Sequence, residues 1–151
     1  MTELQGAVGL AQLRKLKKIV FLQRKNAKII WNQIKEIPGL EKRHSPKKSF
    51  ETFDSLVIVL SNEKLAKKCR KELVKNNINT KILPEATTWH FAKYWSHMEA
   101  LVKSHKKKLK NSFPKSEKIL LRCVSIPINC KMKNNFPFIV RKSIEKVLKF
   151  N

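Results

Sequence analysis

Glycine, acidic residues and aspartate in particular are scarce in this 151-residue chain. Three glycines are too few for a glycine-rich phosphate-binding loop, and Gly6 and Gly9 fall inside a predicted helix, where close helix packing is the expected role. Asp54 is the sole aspartate and precedes a predicted buried strand, which argues against a Ser-His-Asp triad. The four histidines are scattered without carboxylates at metal-ligand spacing. The residues themselves therefore predict no catalytic or metal site.

Cysteines and long apolar runs are also few. Cys69, Cys123 and Cys130 are an odd number at no recognisable spacing, which favours buried, reduced thiols in a reducing compartment. The longest strongly apolar run, Leu56 to Leu60, is far too short to cross a bilayer. We therefore expect a cytoplasmic protein without a membrane partner.

Lysine, in contrast, is abundant. Lys and Arg total 34 against 11 acidic residues, and the formal net charge is +23. Such a charge is compatible with a basic α/β domain that binds nucleic acid or an anionic surface. Six of the 34 are arginine, the residue favoured for base and phosphate recognition, and the lysines are spread over the whole chain. A compositional bias is the favoured explanation, and nucleic-acid binding stays open as the alternative.

The chain begins with a pattern typical of a long helix. Thr2 and Gln5 have the spacing of a capping box, and apolar residues recur at three- and four-residue steps as far as Ile34. Pro38 and Gly39 predict the stop. This divides the chain into a helix over residues 1–38 and a small α/β domain over residues 39–151.

The second region predicts a fold of the α/β (α+β) class, a small sheet with helices packed on it. Residues 53–60 are apolar without alternation, which predicts a strand covered on both faces. An aromatic stripe that includes Phe91 and Trp95 predicts the core-facing side of a long helix from about Trp89. Residues 41–48 read as a loop. Two further strands are predicted at 78–83 and 118–128, and a final helix at 138–148. A helix is also predicted after residue 61, with Ser61 or Asn62 as its cap. Its buried face would consist of Leu65, Cys69 and Leu73.

Several segments resemble one enzyme family. The stretch ELQGAVGLAQLRKL, residues 3–16, resembles the helix that follows the active-site lysine region in DegT/StrS-type sugar aminotransferases, which are pyridoxal-phosphate enzymes with the aspartate-aminotransferase fold. GLEKR (39–43) and LVIVL (56–60) resemble later family segments. Residues 76–98 and the CVSIPINCKM segment, 123–132, are similar to the subgroup that aminates C8 of a 3-deoxy-octulosonate, the sugar acid of bacterial lipopolysaccharide.

The resemblance implies the small C-terminal domain of a fold-type I enzyme preceded by the end of its large domain. It implies pyridoxal phosphate as cofactor, a keto-sugar and an amino-acid donor as substrates, and a homodimer. The resemblance covers the C-terminal part of the family's enzyme, so we expect the Schiff-base lysine and the other cofactor ligands to lie upstream. No catalytic or cofactor-binding residue is therefore assigned, and we expect the chain alone to be inactive.

The family resemblance also implies two candidate substrate-binding residues. Trp89 and His90 follow the second predicted strand of the small domain, in a segment that approaches the active site in the family; packing at a helix start is the alternative. His90 could donate a hydrogen bond to a sugar hydroxyl or carboxylate. The sequence HSPK, residues 44–47, copies part of the family's lysine motif, but it follows the long helix instead of preceding it and is set aside.

Overall fold

The computed structural model describes residues 2–82, 91–105 and 109–149. One very long helix is followed by short strands and helices. In chain order the elements are α1 (Glu3–Ile34), β1 (Leu40–Lys42), β2 (Ser55–Leu60), α2 (Glu63–Lys75), β3 (Lys81–Ile82), α3 (Glu99–Ser104), α4 (Pro114–Leu120), β4 (Cys123–Pro127) and α5 (Phe136–Lys149), with 3-10 turns at Ala92–Tyr94 and Leu109–Asn111.

Helix α1 begins and ends as the sequence predicts. The Gln5 amide donates to Thr2 Oγ1 over 3.3 Å, and the Thr2 amide donates to Gln5 Oε1 over 3.0 Å, so the capping box is confirmed. The chain then turns through Gly39, whose φ of 77° favours glycine. Helix α1 ends at Ile34, just before the stop that Pro38 and Gly39 predict, so that prediction is confirmed and its cause is local sequence.

The two ends of α1 lie in different surroundings. In the anchored part of α1, residues 26–34, Ile30 and Ile34 are fully buried in the core. In the N-terminal arm of α1, residues 3–18, apolar side chains are exposed, among them Leu4 at 75% and Leu13 at 63%. The arm therefore extends beyond the packed body of the described chain.

The four strands form one antiparallel sheet in the order β1-β2-β4-β3. Strands β2 and β3 are parallel to each other on either side of β4, and α2 connects them. The expected strand-helix-strand unit is therefore present, with β4 inserted between its strands. The expected loop over residues 41–48 is wrong at its start, because Leu40–Lys42 pairs with β2. Three residues are too few to show a strand period in sequence.

Strand β2 is buried on one face. Leu56, Ile58 and Leu60 are almost fully buried, whereas Val57 and Val59 are half-buried. The expectation of a strand covered on both faces is wrong, because α1, α2 and α5 all pack into the single core on the Leu56 side. Valine suits a half-buried strand position as well as a core position, so the apolar run could not distinguish the two cases.

The predicted strand at 118–128 is also too long. Pro114 starts helix α4 at its first turn, and this helix extends to Leu120 before β4 begins at Cys123. The 78–83 prediction is confirmed in part: β3 spans Lys81–Ile82, and residue 83 lies outside the described ranges.

The predictions for α2 and α5 are confirmed. The Leu65 amide donates to Asn62 Oδ1 over 2.9 Å, so Asn62 caps α2, and Leu65, Cys69 and Leu73 are buried. Helix α5 covers the predicted 138–148 range and turns Val140, Ile144 and Val147 into the core.

One buried polar residue fixes α1 against the sheet. The Asn26 side-chain amide donates to the carbonyl oxygens of Asn129 (2.7 Å) and Cys130 (3.2 Å), just after β4. A buried amide group is stable only when its hydrogen-bonding capacity is used, so these two bonds specify how the anchored part of α1 sits.

Candidate functional site

The candidate residues Trp89 and His90 lie outside the described residues, so their substrate-binding role stays a prediction. The structure describes the chain on both sides of them. Strand β3, at one edge of the sheet, ends at Ile82, and the described chain resumes at Phe91.

Phe91, the residue after His90, is fixed in a small aromatic cluster. Its ring centroid lies 6.2 Å from that of Tyr94 and 6.2 Å from that of Phe113, and both pairs meet edge to face. The His105 ring also meets Phe113, with 5.3 Å between centroids. Edge-to-face contacts of this kind add to the stabilisation from burial. The cluster therefore fixes the chain immediately beyond the two candidate residues.

The long helix expected from Trp89 is wrong for its described part. Residues 92–94 form a 3-10 turn, and α3 begins only at Glu99, after Met98 in a non-helical conformation. Phe91 is buried, but Tyr94 and Met98 are nearly half exposed, so the stripe is not a core face. The Phe91 ring packs on Phe113, which is distant in sequence, and a local period cannot reveal such a contact.

An ion pair also stabilises the chain that follows His90. Lys93 Nζ bonds to Glu117 Oε1 on α4, and this hydrogen bond raises the pKa of the Lys93 ammonium group. The pair ties the 3-10 turn at residues 92–94 to α4, so the chain after His90 is attached by both ring contacts and charge.

The described lysines do not fit a pyridoxal-phosphate site. A Schiff-base lysine needs a lowered pKa in a partly dry pocket. Where the structure describes lysine side chains, all are exposed except Lys42 and Lys93. Each of these two faces a carboxylate: Lys42 lies 3.6 Å from Glu51, and Lys93 is bonded to Glu117. The hydrogen bond to Glu117 raises the pKa of Lys93, which is the opposite of what a Schiff-base lysine needs. No described residue is therefore assigned to the cofactor.

The HSPK segment, residues 44–47, also contains no lysine in a partly dry pocket. Lys47 and His44 are both exposed, in the loop between β1 and β2. This loop is organised instead by Glu51, whose carboxylate accepts from Arg43 at 2.8 Å. Partial burial disfavours ionisation of Glu51, but its bonded and charged neighbours, Arg43 and Lys42 among them, outweigh this and hold its pKa below the usual value. Sequence analysis did not find this role of Glu51, because no local motif marks it.

The cysteines carry no chemistry that the described structure supports. Burial raises the pKa of the Cys69 thiol to about 12, so it stays protonated and unreactive near neutral pH. Cys123 is also buried, Cys130 is partly buried, and all three thiols are free. Within residues 2–82, 91–105 and 109–149, no group of three or more His, Cys, Asp or Glu side chains could hold a metal ion.

No helix in the described part of the chain combines the length and apolarity that a membrane span requires. This agrees with the short apolar runs of the sequence.

Solved structures share the fold. The chain superimposes on PseC of Helicobacter pylori, an aminotransferase involved in the biosynthesis of pseudoaminic acid, with a TM-score of 0.73 and 17% identity over 100% of this chain and 38% of that one. It matches the aminotransferase TlmJ of Streptoalloteichus hindustanus with a TM-score of 0.70 and 15% identity, over 95% and 35% of the two chains. The GDP-4-keto-6-deoxy-D-mannose-3-dehydratase of E. coli, solved with bound hydrated PLP, matches with a TM-score of 0.62 and 16% identity, over 95% and 34%.

At these identities the superpositions establish the fold, a portion of a pyridoxal-phosphate aminotransferase fold, and the chain spans little more than a third of these structures. Membership rests on a separate comparison, in which residues 1–142 match a single protein family over more than nine tenths of the chain. The chain belongs to the DegT/DnrJ/EryC1/StrS aminotransferase family.

Proposed function

We propose that this chain is the C-terminal portion of a pyridoxal-phosphate-dependent sugar aminotransferase. Residues 1–38 would complete a large domain, and residues 39–151 would form the small domain. The observation that carries the proposal is the family match over residues 1–142, joined with a fold that superimposes on about a third of structures described as sugar aminotransferases.

The exposed apolar residues in the N-terminal arm of α1 support the proposal that residues 1–38 complete a large domain. Successive residues of an α-helix turn by about 100°, so Leu4, Leu10 and Leu16 point in three directions about 120° apart. All three are exposed, so apolar side chains project from several sides of the arm, and covering them requires more than one neighbouring element. Gly6 and Gly9 have open space where a side chain would lie. We expect the arm to pack inside the large domain of the complete enzyme, with both glycines at close helix contacts.

The contribution of this chain to catalysis would be substrate positioning. In the complete enzyme, pyridoxal phosphate supplies the amino-transfer chemistry, and the protein supplies binding and orientation. We expect Trp89 to contact the sugar and His90 to donate a hydrogen bond to a sugar hydroxyl or carboxylate. The ring contacts and ion pair that fix residues 91–94 would keep these two residues in place.

The proposed substrate is a 3-deoxy-octulosonate with an aldehyde at C8, aminated there by an amino-acid donor in the cytoplasm. The support is the resemblance of residues 76–98 and 123–132 to the subgroup with that substrate. A homodimer is proposed for the complete enzyme on the same family grounds.

The test begins with the purified chain, pyridoxal phosphate, glutamate and the octulosonate that carries an aldehyde at C8. We expect no turnover, no specific visible absorption band from a protein-bound cofactor, and no single lysine modified in stoichiometric yield after borohydride reduction. The physical reason is that the described lysines are exposed or ion-paired. A stoichiometric band that reduces onto a single lysine would contradict the predicted inactivity.

The positive half of the test uses the coding DNA upstream of Met1. An in-frame continuation with a lysine motif is expected, and the extended protein should aminate the octulosonate aldehyde at C8. Turnover of other keto-sugars alone would overturn the substrate but not the reaction. An upstream sequence without any such continuation would contradict the assignment to a longer enzyme.

The alternative of a nucleic-acid-binding domain predicts affinity that falls steeply with salt, because each neutralised phosphate releases counterions. Exposed lysines occur on α1, α2 and α5 alike, so the described helices do not gather them on one element. This distribution favours the aminotransferase assignment.

A further inference from the structure

The segment between β1 and β2, residues 43–54, is attached to the sheet at its two ends, and we call it the strap. The Arg43 amide donates to the Val57 carbonyl oxygen over 3.0 Å, and the Asp54 carbonyl oxygen accepts from the Ile128 amide over 3.0 Å. Between these points the backbone forms one hydrogen bond to a described backbone group, and that bond stays within the strap. The middle of the strap therefore depends on side chains for its attachment.

Little buried surface holds the strap in place. The structure describes every residue of the strap, none of them is fully buried, and residues 46–50 are all exposed. A cavity of about 410 Å³ is lined by strap residues and Ser55, so the strap does not pack tightly on itself. Segments with few buried apolar contacts open locally at a low cost in free energy. The strap has the properties of such a segment.

One residue, Glu51, fastens the middle of the strap on two sides. Its carbonyl oxygen accepts from the Arg24 guanidinium of α1 at 2.8 Å. Its carboxylate accepts from Arg43 at 2.8 Å and lies 3.6 Å from the Lys42 ammonium of β1. The Arg24 guanidinium also lies 4.3 Å from the centroid of the Phe50 ring. Among the described residues, the hydrogen bonds and ion pairs that tie the middle of the strap to β1 and α1 all involve Glu51.

The strap rejoins the sheet through a backbone conformation that is unfavourable for its residue. The φ of Phe53 is 57°, in the left-handed region where a bulky residue is an outlier. Such a conformation persists only where the surroundings enforce it. The Lys42 ammonium, which also faces Glu51, lies 4.6 Å from the centroid of the Phe53 ring. Lys42 therefore links the contacts of Glu51 to the strained end of the strap.

The same end of the strap borders an aromatic cleft of about 490 Å³ between α1 and the sheet. Phe53 forms one wall of this cleft, and Trp31 of α1 lines it too; both rings are partly buried against the core. Two of its cations, Arg24 and Lys42, are those that contact Glu51. The remaining aromatic and cationic lining residues are Phe21, Lys25 and Lys28.

We propose that the strap is a conformational gate, held closed at Glu51, that moves about its two attached ends and opens the aromatic cleft. The structure shows the closed state. Loss of the Glu51 contacts releases the middle of the strap, allows Phe53 to leave its left-handed conformation, and exposes Trp31 to solvent. Exposed ion pairs are individually weak, so the closed and open states interconvert within the folded chain. The gate does not depend on the proposed aminotransferase function.

Two measurements on the full chain test the gate. Hydrogen exchange followed by mass spectrometry reports the opening of the strap, and acrylamide quenching of fluorescence reports the exposure of Trp31. Quenching is measured in the background Trp89→Phe/Trp95→Phe, which leaves Trp31 as the sole tryptophan. Glu51→Ala should accelerate exchange of the strap amides by about tenfold and raise the quenching constant of Trp31 by at least about 1.5-fold.

The matched control is Glu72→Ala on α2. The Glu72 side chain is 14% exposed, against 16% for Glu51, and it also accepts from a cation, Lys146 at 2.7 Å. Glu72 lies on another element, so its loss should leave strap exchange and Trp31 quenching within about 20% of the parent values.

A second pair of variants tests the attachment to α1. Arg24→Ala removes the hydrogen bond to the Glu51 carbonyl oxygen and the contact with Phe50, and it should accelerate exchange of the strap as Glu51→Ala does. Arg14→Ala, at an exposed arginine of the N-terminal arm, should not. Arg24 is exposed, so this pair decides the outcome if Glu51→Ala lowers the urea midpoint of the whole chain.

Three results would overturn the gate. One is strap exchange in Glu51→Ala and Arg24→Ala at the rate of the parent chain. Another is faster exchange over the whole chain in Glu51→Ala and Glu72→Ala alike, which would show general destabilisation. The third is faster exchange of the strap with unchanged quenching of Trp31, which would show that the strap moves without opening the cleft.

Discussion

The N-terminal arm and the anchored part of α1 belong to one continuous helix, yet they have opposite surroundings. Apolar residues occur in both at helical spacing, but Leu4 and Leu13 are exposed while Ile30 and Ile34 are fully buried. The difference is that the sheet and α5 cover only the second stretch. Helical periodicity reports that a face is meant to be buried, and it does not report which partner buries it.

The largest expected effect is a difference in the free energy of unfolding between a substitution in the anchored part of α1 and a substitution in its N-terminal arm. Ile30→Ala should lower the free energy of unfolding by about 2–5 kcal/mol, because it leaves a cavity in the core. Leu13→Ala, the matched change in the arm, should alter it by less than about 0.5 kcal/mol. Urea unfolding of the two variants measures both values. An equal cost at the two positions would show that the arm is packed in solution, and the comparison would fail.

A smaller effect tests how the anchored part is held. Asn26→Ala removes the donor for the Asn129 and Cys130 carbonyl oxygens and should cost about 1–3 kcal/mol. Asn32 is exposed on the same helix, and its side chain forms no hydrogen bond with the described residues. Asn32→Ala should therefore change the free energy of unfolding only slightly. Thermal unfolding compares them. Equal and small losses would mean that packing alone fixes α1 on the sheet.

The smallest effect is confined to the arm. Thr2→Ala removes the capping bond to Gln5 and should destabilise the first turns of α1 by about 0.5–2 kcal/mol, while Thr2→Ser keeps the cap. Faster hydrogen exchange of the amides in the arm, with an unchanged urea midpoint of the core, is the expected result. A lower midpoint would indicate that the arm and the core unfold together.

Local signals in the sequence were sufficient for α1, α2 and α5. A cap, an apolar face and a stop signal act within a few residues, so the Thr2 box, the Asn62 cap and the Val140 face could be predicted. The same reasoning failed at β1, at α4 and after Phe91. The segments at β1 and after Phe91 are short, and they contact Leu60 and Phe113, which are distant in the chain. Helix α4 directly precedes β4, and its apolar residues continue into those of the strand, so the sequence pattern did not separate the two elements.

The candidate site was predictable only through resemblance. Trp89 and His90 have no distinguishing composition or spacing, and their role stays a prediction. The network around Glu51 and the aromatic cleft had no sequence signal, because α1, β1 and the loop before β2 each contribute a few ordinary residues. Their combination exists only after folding.

The sequence by itself determined the helices with complete local signals, the family, and the absence of a glycine-rich phosphate loop. Each of these depends on residues close together or on a pattern read along the chain. Tertiary structure alone decided that β2 is covered on one face, that the apolar arm is exposed beside a buried continuation, and that four cations meet three aromatic rings. The physical reason is that burial and charge clustering are properties of the space between elements, and packing creates that space.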